Sequence, residues 1–161
     1  MRSYALPKRE VKAILNQLGA TWPPEALPQE AKQVQAIEVD EKGMILITGG
    51  AVAVRMGNKI LPSLREKTLP YFPSVTVDPG AVRFICNGAD VMRRGITEMT
   101  KFPQGAVVAV KEKTYGKFIA VGEALTDSEA AEKASSGPVV KNFHYVSDKF
   151  WEALKEKLGG T

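Results

Sequence analysis

Asp78-Pro79-Gly80-Ala81-Val82-Arg83-Phe84-Ile85-Cys86-Asn87-Gly88-Ala89-Asp90-Val91-Met92-Arg93-Arg94-Gly95-Ile96 is the stretch that decides the fold. It spells a capped helix, a glycine stop and a tight basic loop. Asp78 carries the short acceptor side chain that satisfies free N–H groups as an N-cap, and Pro79 suits the first helical position, where an N–H would have no partner. Gly88 supplies the positive φ that ends such a helix. Val82, Ile85 and Cys86 share one helical face, extended by Phe84, and Cys86 is expected there as a small buried hydrophobe. Arg93, Arg94 and Gly95 then place two guanidinium forks beside a backbone that a phosphate can approach closely.

Outward from this segment the chain alternates short apolar runs with turn residues. Residues 75–77 precede the helix as a strand. Downstream, strands over 107–111 and 118–124 flank the lysine-bearing turn Lys113-Thr114-Tyr115-Gly116-Lys117. Thr126 or Asp127 can cap a brief helix through Ala134, ended by Gly137-Pro138, and Val139-Val140 and 143–146 read as two further short strands. The last helix is predicted over 148–158, with Phe150, Trp151 and Leu154 inward.

Upstream, Val11, Ile14, Leu15 and Leu18 recur at helical spacing over 8–18, and Gly19 is expected to stop that helix. Trp22 follows in a proline-rich connection and is expected to plug a local core. Strands over 34–39, 44–48 and 51–56 are punctuated by Glu41-Lys42-Gly43, Gly49-Gly50 and Gly57-Asn58, the mark of antiparallel hairpins. Ile60-Leu61-Pro62-Ser63-Leu64-Arg65 reads as a short helix entry, and Leu69-Pro70-Tyr71-Phe72-Pro73 as a packed junction between two halves.

The 161 residues are 44% hydrophobic and 25% charged, which is too apolar for disorder and suits one ordinary domain or two small ones. A single cysteine excludes an intrachain disulfide and a cysteine-rich metal site. No run approaches the roughly 18 apolar residues of a membrane-spanning helix, and the N-terminus lacks the apolar core of a signal peptide. A soluble intracellular protein is expected.

Catalytic signatures are missing. His144 is the sole histidine and sits in Phe143-His144-Tyr145-Val146, where a structural hydrogen bond within a strand is expected. Ser135-Ser136-Gly137 has the wrong flanks for a nucleophile elbow, Gly49-Gly50 is not followed by a phosphate-loop lysine, and no carboxylates form an acid/base pair. Glu38, Asp40 and Glu41 read as a solvated strand end. Between Arg83 and Lys117, however, seven basic residues face three acidic ones, a surplus of +4 equal to that of the whole chain. Those cations either meet phosphates or keep a small domain soluble, and composition alone leaves both open.

The order of the pieces adds a resemblance. Val77-Asp78-Pro79-Gly80-Ala81, Asn87-Gly88-Ala89-Asp90-Val91-Met92 and Gly95-Ile96 resemble the first strand, helix and loop of a PUA domain, the module named for pseudouridine synthases and archaeosine transglycosylases. Gly137 with Asn142-Phe143-His144-Tyr145-Val146-Ser147-Asp148 and Trp151 resembles its closing strand. Leu61-Pro62-Ser63-Leu64-Arg65, Phe72-Pro73 and Val77-Asp78 are similar to the malignant T-cell-amplified family of translation proteins.

That resemblance implies an α+β chain, with an α/β pre-PUA domain over 1–73 and a C-terminal PUA β-barrel (a pseudobarrel) with its C-terminal helix over 74–161. An archaeal member of the family is expected. It implies a non-catalytic cytoplasmic protein without cofactor, metal or membrane. Its partners would be structured RNA (tRNA or rRNA), the small ribosomal subunit and a density-regulated-protein-like partner, in initiation, reinitiation or recycling. The RNA-facing residues it implies are Arg83, Gly88, Asp90, Arg93, Arg94, Gly95 and His144, with Lys101, Lys113 and Lys117 as outer electrostatic contacts. Met92 is expected to be a core plug anchoring the loop. Many PUA loops have a proline just before the glycine, and here Arg94 replaces it. An RNA-modification role and a protein-interaction adaptor using the helix over 11–18 remain the alternatives.

Overall fold

Glycine-marked turns organise the first part of the chain in the computed structural model, which describes residues 1–160. Strand β1 (Ser3–Ala5) leads into helix α1 (Lys8–Thr21), followed by β2 (Gln35–Glu38), β3 (Gly43–Thr48), β4 (Ala51–Met56) and β5 (Lys59–Pro62). The five strands form one antiparallel sheet in sequence order. Gly49 and Gly50, both at positive φ, make the two-residue turn that sets Thr48 opposite Ala51. Helix α1 buries Val11, Ile14 and Leu18, as the periodicity requires. Each such side chain contributes about 1.5–3 kcal/mol. Trp22 is the expected plug: it is buried, and its indole N–H donates to the Ile60 carbonyl at 3.2 Å.

Two local expectations fail here. Gly19 does not stop α1, which runs on to Thr21. The stretch 60–65 does not enter a helix. Lys59–Pro62 instead pairs with β4, placing Ile60 opposite Arg55 and Leu61 opposite Val54, and both apolar side chains are buried. Pro62 is tolerated because β5 lies at the sheet edge, where no second strand needs its N–H. Beyond it, the buried Glu66 carboxylate accepts from the N–H groups of Val52 and Thr68, tying the following turn to β4.

A second unit spans Phe72–Asp148. It contains β6 (Ser74–Val77), α2 (Pro79–Ile85), β7 (Val91–Met92), β8 (Ile96–Met99), β9 (Val107–Glu112), β10 (Phe118–Ala124), α3 (Ser128–Lys133) and β11 (Pro138–Tyr145). Strand β6 pairs antiparallel with β8 and parallel with β9. The sheet order is β7-β11-β10-β9-β6-β8. Its two edge strands, β7 and β8, are separated in sequence only by the turn Arg93–Gly95. Three residues span at most about 10 Å, so the sheet has to curl until its edges nearly meet. The result is a nearly closed barrel, filled by Val75, Val77, Val91, Val108, Val110 and Val140. Strand β11 is continuous rather than split into the two strands expected, and a bulge between Val121 and Gly122 absorbs the mismatch with β10.

The last helix, α4 (Lys149–Leu158), buries Phe150, Ala153 and Leu154. Its assignment to the barrel domain over 74–161 needs correction. Phe150 covers Gly43 of β3 so closely that a Cβ there would lie 2.6 Å from the ring. Lys149 pairs with Asp40 at 2.6 Å and, with the Lys42 N–H, holds that carboxyl below its ordinary range. The helix therefore belongs to the first unit, with Met1–Tyr71. Its apolar face is visible in the sequence, but nothing local says which sheet that face covers. Among the described residues, no helix is long and apolar enough to cross a membrane.

Candidate nucleic-acid interface

The segment that closes the barrel also lines an open groove on its surface. Asp78 caps α2 as expected, its Oδ1 accepting from the Ala81 N–H at 3.2 Å, and Pro79 takes the first helical position. Gly88 has φ +99° and ends the helical segment, where the Tyr145 hydroxyl leaves little room for a Cβ. The Asp78 N–H donates to the Gly95 carbonyl at 2.9 Å, joining the start of the helix to the barrel-closing turn. Gly95 is needed for this approach: a Cβ would meet the Ala81 methyl at 3.2 Å.

Between α2 and the strand–turn segment 89–95 lies an open groove of about 460 Å³. Ala81, Phe84, Ile85, Val91 and Met92 give it a largely apolar lining, and Arg94 stands on its rim. Phe84 and Met92, 55% and 48% exposed, stand together along this groove. The Arg83 guanidinium lies 4.8 Å from the centre of the Phe84 ring, a cation–π distance. Met92 is therefore not the expected core plug. In a strand of two residues alternation can bury only one, and Val91 takes that place.

The two arginines divide their work. Arg93 donates from Nε to the Ala131 carbonyl at 2.6 Å and from Nη1 to the Ile96 carbonyl at 3.3 Å, while its backbone N–H bonds Gly137. It fastens the closing turn to α3 and β11. Arg94 is exposed and makes no hydrogen bond or ion pair among the described residues, so its whole donor set faces solvent at the groove.

Asp90 is a builder as well, accepting from the Asn142 N–H at 3.0 Å and facing Lys141 at 3.9 Å. The Asn142 amide in turn donates to the carbonyls of Ile85 and Ala89, clamping the helix end and the following loop to β11. Cys86 is only half-buried, enough to push its thiol pKa up.

The remaining residues expected at the interface lie apart from the groove. His144 is fully buried, with Nδ1 2.9 Å from Asp148 Oδ2, so its ring offers no surface to RNA. This is the structural hydrogen bond that its strand context suggests. Lys101 follows β8 at the end where Thr100 bonds Ser74, the opposite end of β6 from the groove. Lys113 and Lys117 are exposed on the β9–β10 turn, whose root reaches the groove end of β6 through the Lys113 N–H to Val77 carbonyl bond at 2.9 Å. Tyr115, between them, is 80% exposed and is not among the residues expected from the sequence. The interleaving of an aromatic with two lysines is the signal that could have found it.

Comparisons with known proteins agree with this architecture. A family model described as "PUA domain" matches residues 73–146. An uncharacterized protein of Methanocaldococcus jannaschii is 35% identical over 93% of this chain and 95% of its own length. Translation machinery-associated protein 20 of Saccharomyces cerevisiae is 24% identical over 79% of this chain and 75% of that protein. Malignant T-cell-amplified sequence 2 of Homo sapiens is 28% identical over 81% and 76%. Among solved structures, a hypothetical protein from Pyrococcus horikoshii matches with a TM-score of 0.78 at 31% identity, covering 94% of this chain and 99% of that one.

Proposed function

Because the chain belongs to the family of PUA-domain proteins that includes the malignant T-cell-amplified proteins, we propose that it is a non-catalytic RNA-binding protein of the translation machinery. The observation that carries this reading is the apolar groove beside the barrel-closing turn, with the exposed Arg94 on its rim. A duplex presents ribose and phosphate outward and would leave such a groove empty. An unstacked nucleotide fits it: the base lies against Phe84 and Met92, and the adjoining phosphate meets Arg94 and Arg83. The substrate is therefore a structured RNA with a single-stranded end or loop, which tRNA and rRNA both provide. The name of one relative, translation machinery-associated protein 20, supports a role in translation. A place on the small ribosomal subunit during initiation, reinitiation or recycling, with a density-regulated-protein-like partner, is the finer part of the same proposal.

Titration of tRNA against the wild type, Arg94→Glu and Met92→Glu tests this. Both side chains are exposed, so neither substitution disturbs the core. Each is expected to weaken binding about tenfold or more, the worth of one stacking or charged contact. Unchanged affinity in both variants would refute the reading.

A further inference from the structure

The turn between β9 and β10 is built more rigidly than a solvent-exposed loop requires. The Glu112 carboxylate reaches over it and accepts from the N–H groups of Tyr115 at 2.7 Å and Lys117 at 3.0 Å. The Glu112 N–H bonds the Lys117 carbonyl, its own carbonyl accepts from Gly116, and Gly116 turns the chain at φ +69°. Backbone hydrogen bonds, chiefly that from Lys117, hold the carboxyl below its ordinary range. At the hairpin base, Lys111 Nζ lies 5.8 Å from the centre of the Phe118 ring.

All this order presents one side chain. Tyr115 stands 80% exposed at the tip, between the exposed Lys113 and Lys117. A single exposed aromatic is ordinary on a protein surface. Here it coincides with a fixed turn, two flanking cations and a definite address. The Lys113 N–H is bonded to Val77, and the next residue, Asp78, is bonded to Gly95 and lines the groove. The hairpin root, the start of α2 and the barrel-closing turn thus meet at one end of β6.

We propose that Tyr115 is a second base-stacking site, taking a nucleobase of the same RNA strand outside the groove, while Lys113 and Lys117 hold the flanking phosphates. This rests on the RNA-binding reading and adds a separate contact to it. Tyr suits the task because its ring offers a flat face with only two side-chain torsions to freeze, and stacking tolerates any base. Glu112 acts as a positioning residue that sets the ring before RNA arrives.

The test uses a fluorescein-labelled RNA hairpin with a single-stranded 3′ tail, titrated by anisotropy against the 161-residue protein at several salt concentrations. Tyr115→Ala is expected to weaken binding about tenfold with an unchanged salt slope, whereas Tyr115→Phe stays within about twofold. Lys113→Ala with Lys117→Ala is expected to flatten the salt slope. Wild-type affinity in Tyr115→Ala, while Arg94→Glu still loses binding, overturns the second site and leaves the groove reading intact. Equal losses in Tyr115→Ala and Tyr115→Phe overturn stacking in favour of a hydroxyl contact. No binding by the wild type removes both readings.

Discussion

The two units of this chain separate charge from shape. The first, Met1–Tyr71 with the C-terminal helix, holds thirteen basic and nine acidic residues, and so the entire net charge of +4. The barrel unit, Phe72–Asp148, holds nine of each and is formally neutral. Yet the barrel owns the apolar groove, the exposed Arg94 and the presented Tyr115. The basic surplus between Arg83 and Lys117 is real, but it is cancelled by the acidic residues in the rest of the same unit. Net charge sets long-range attraction, which salt screens. Contact is decided by where a few side chains are held, and in the barrel that is a matter of closure.

Closure is most vulnerable at the backbone. Gly122→Ala should have the largest effect, because its Cβ would lie 1.9 Å from the Lys141 carbonyl oxygen, driving β10 from β11. A loss of about 3–5 kcal/mol is expected in urea unfolding. Gly43→Ala in the first unit meets only the edge of the Phe150 ring and should cost about 1–3 kcal/mol. Equal costs would mean that the barrel is no more tightly locked than the open sheet.

Arg93 and Arg94 sharpen the distinction between building and binding. Arg93→Ala removes two bonds to carbonyls, so thermal unfolding should report a loss of about 1–3 kcal/mol. Arg94→Ala should leave stability within about 0.5 kcal/mol and show its effect in RNA affinity alone. A reversed pattern would exchange their roles.

These neighbours also mark the limit of what the sequence discloses. Asp78, Pro79 and Gly88 act within a few residues of themselves, so their roles are local and legible. The carbonyl that Arg93 reaches belongs to Ala131, 38 positions away, and no spacing rule connects them. The same holds for α4, whose apolar face is evident while the sheet beneath it is not. At 60–65, pairing with β4 overrides a helix-like local pattern. Met92 escapes a sequence reading for a related reason: which of two alternating positions faces inward is set by the sheet around them.

Smaller effects probe the first unit's charge. Lys8, Arg9 and Lys12 are exposed on α1, and replacing all three by Ala should lower the salt slope of RNA binding. Every phosphate that is no longer neutralised reduces that slope by about 0.7 to 0.9. The reduction should be the same for every RNA tested, because backbone contacts carry no sequence preference. A change in discrimination between RNAs would place specificity in the first unit as well.

The smallest expected effect is a pH dependence of the β9–β10 turn. The Glu112 carboxyl is depressed in the fold, so its stabilisation is complete above the ordinary glutamate pKa of about 4.3. It is lost as pH falls through the lower folded value. Amide exchange at Tyr115 and Lys117, compared with Glu112→Gln over this range, should show protection that falls with pH only in the wild type. A pH-independent turn would mean that Glu112 does not set its order.

The groove itself is tested most directly by the affinity of the wild-type protein for one two-stranded RNA duplex in two forms, blunt-ended and with a single-stranded 3′ tail. An unpaired nucleotide exists only in the tailed duplex, so that form should bind about tenfold more tightly, and Met92→Glu should abolish the preference. Equal affinity for the two forms would contradict the account and favour recognition of the duplex rather than of an unpaired nucleotide.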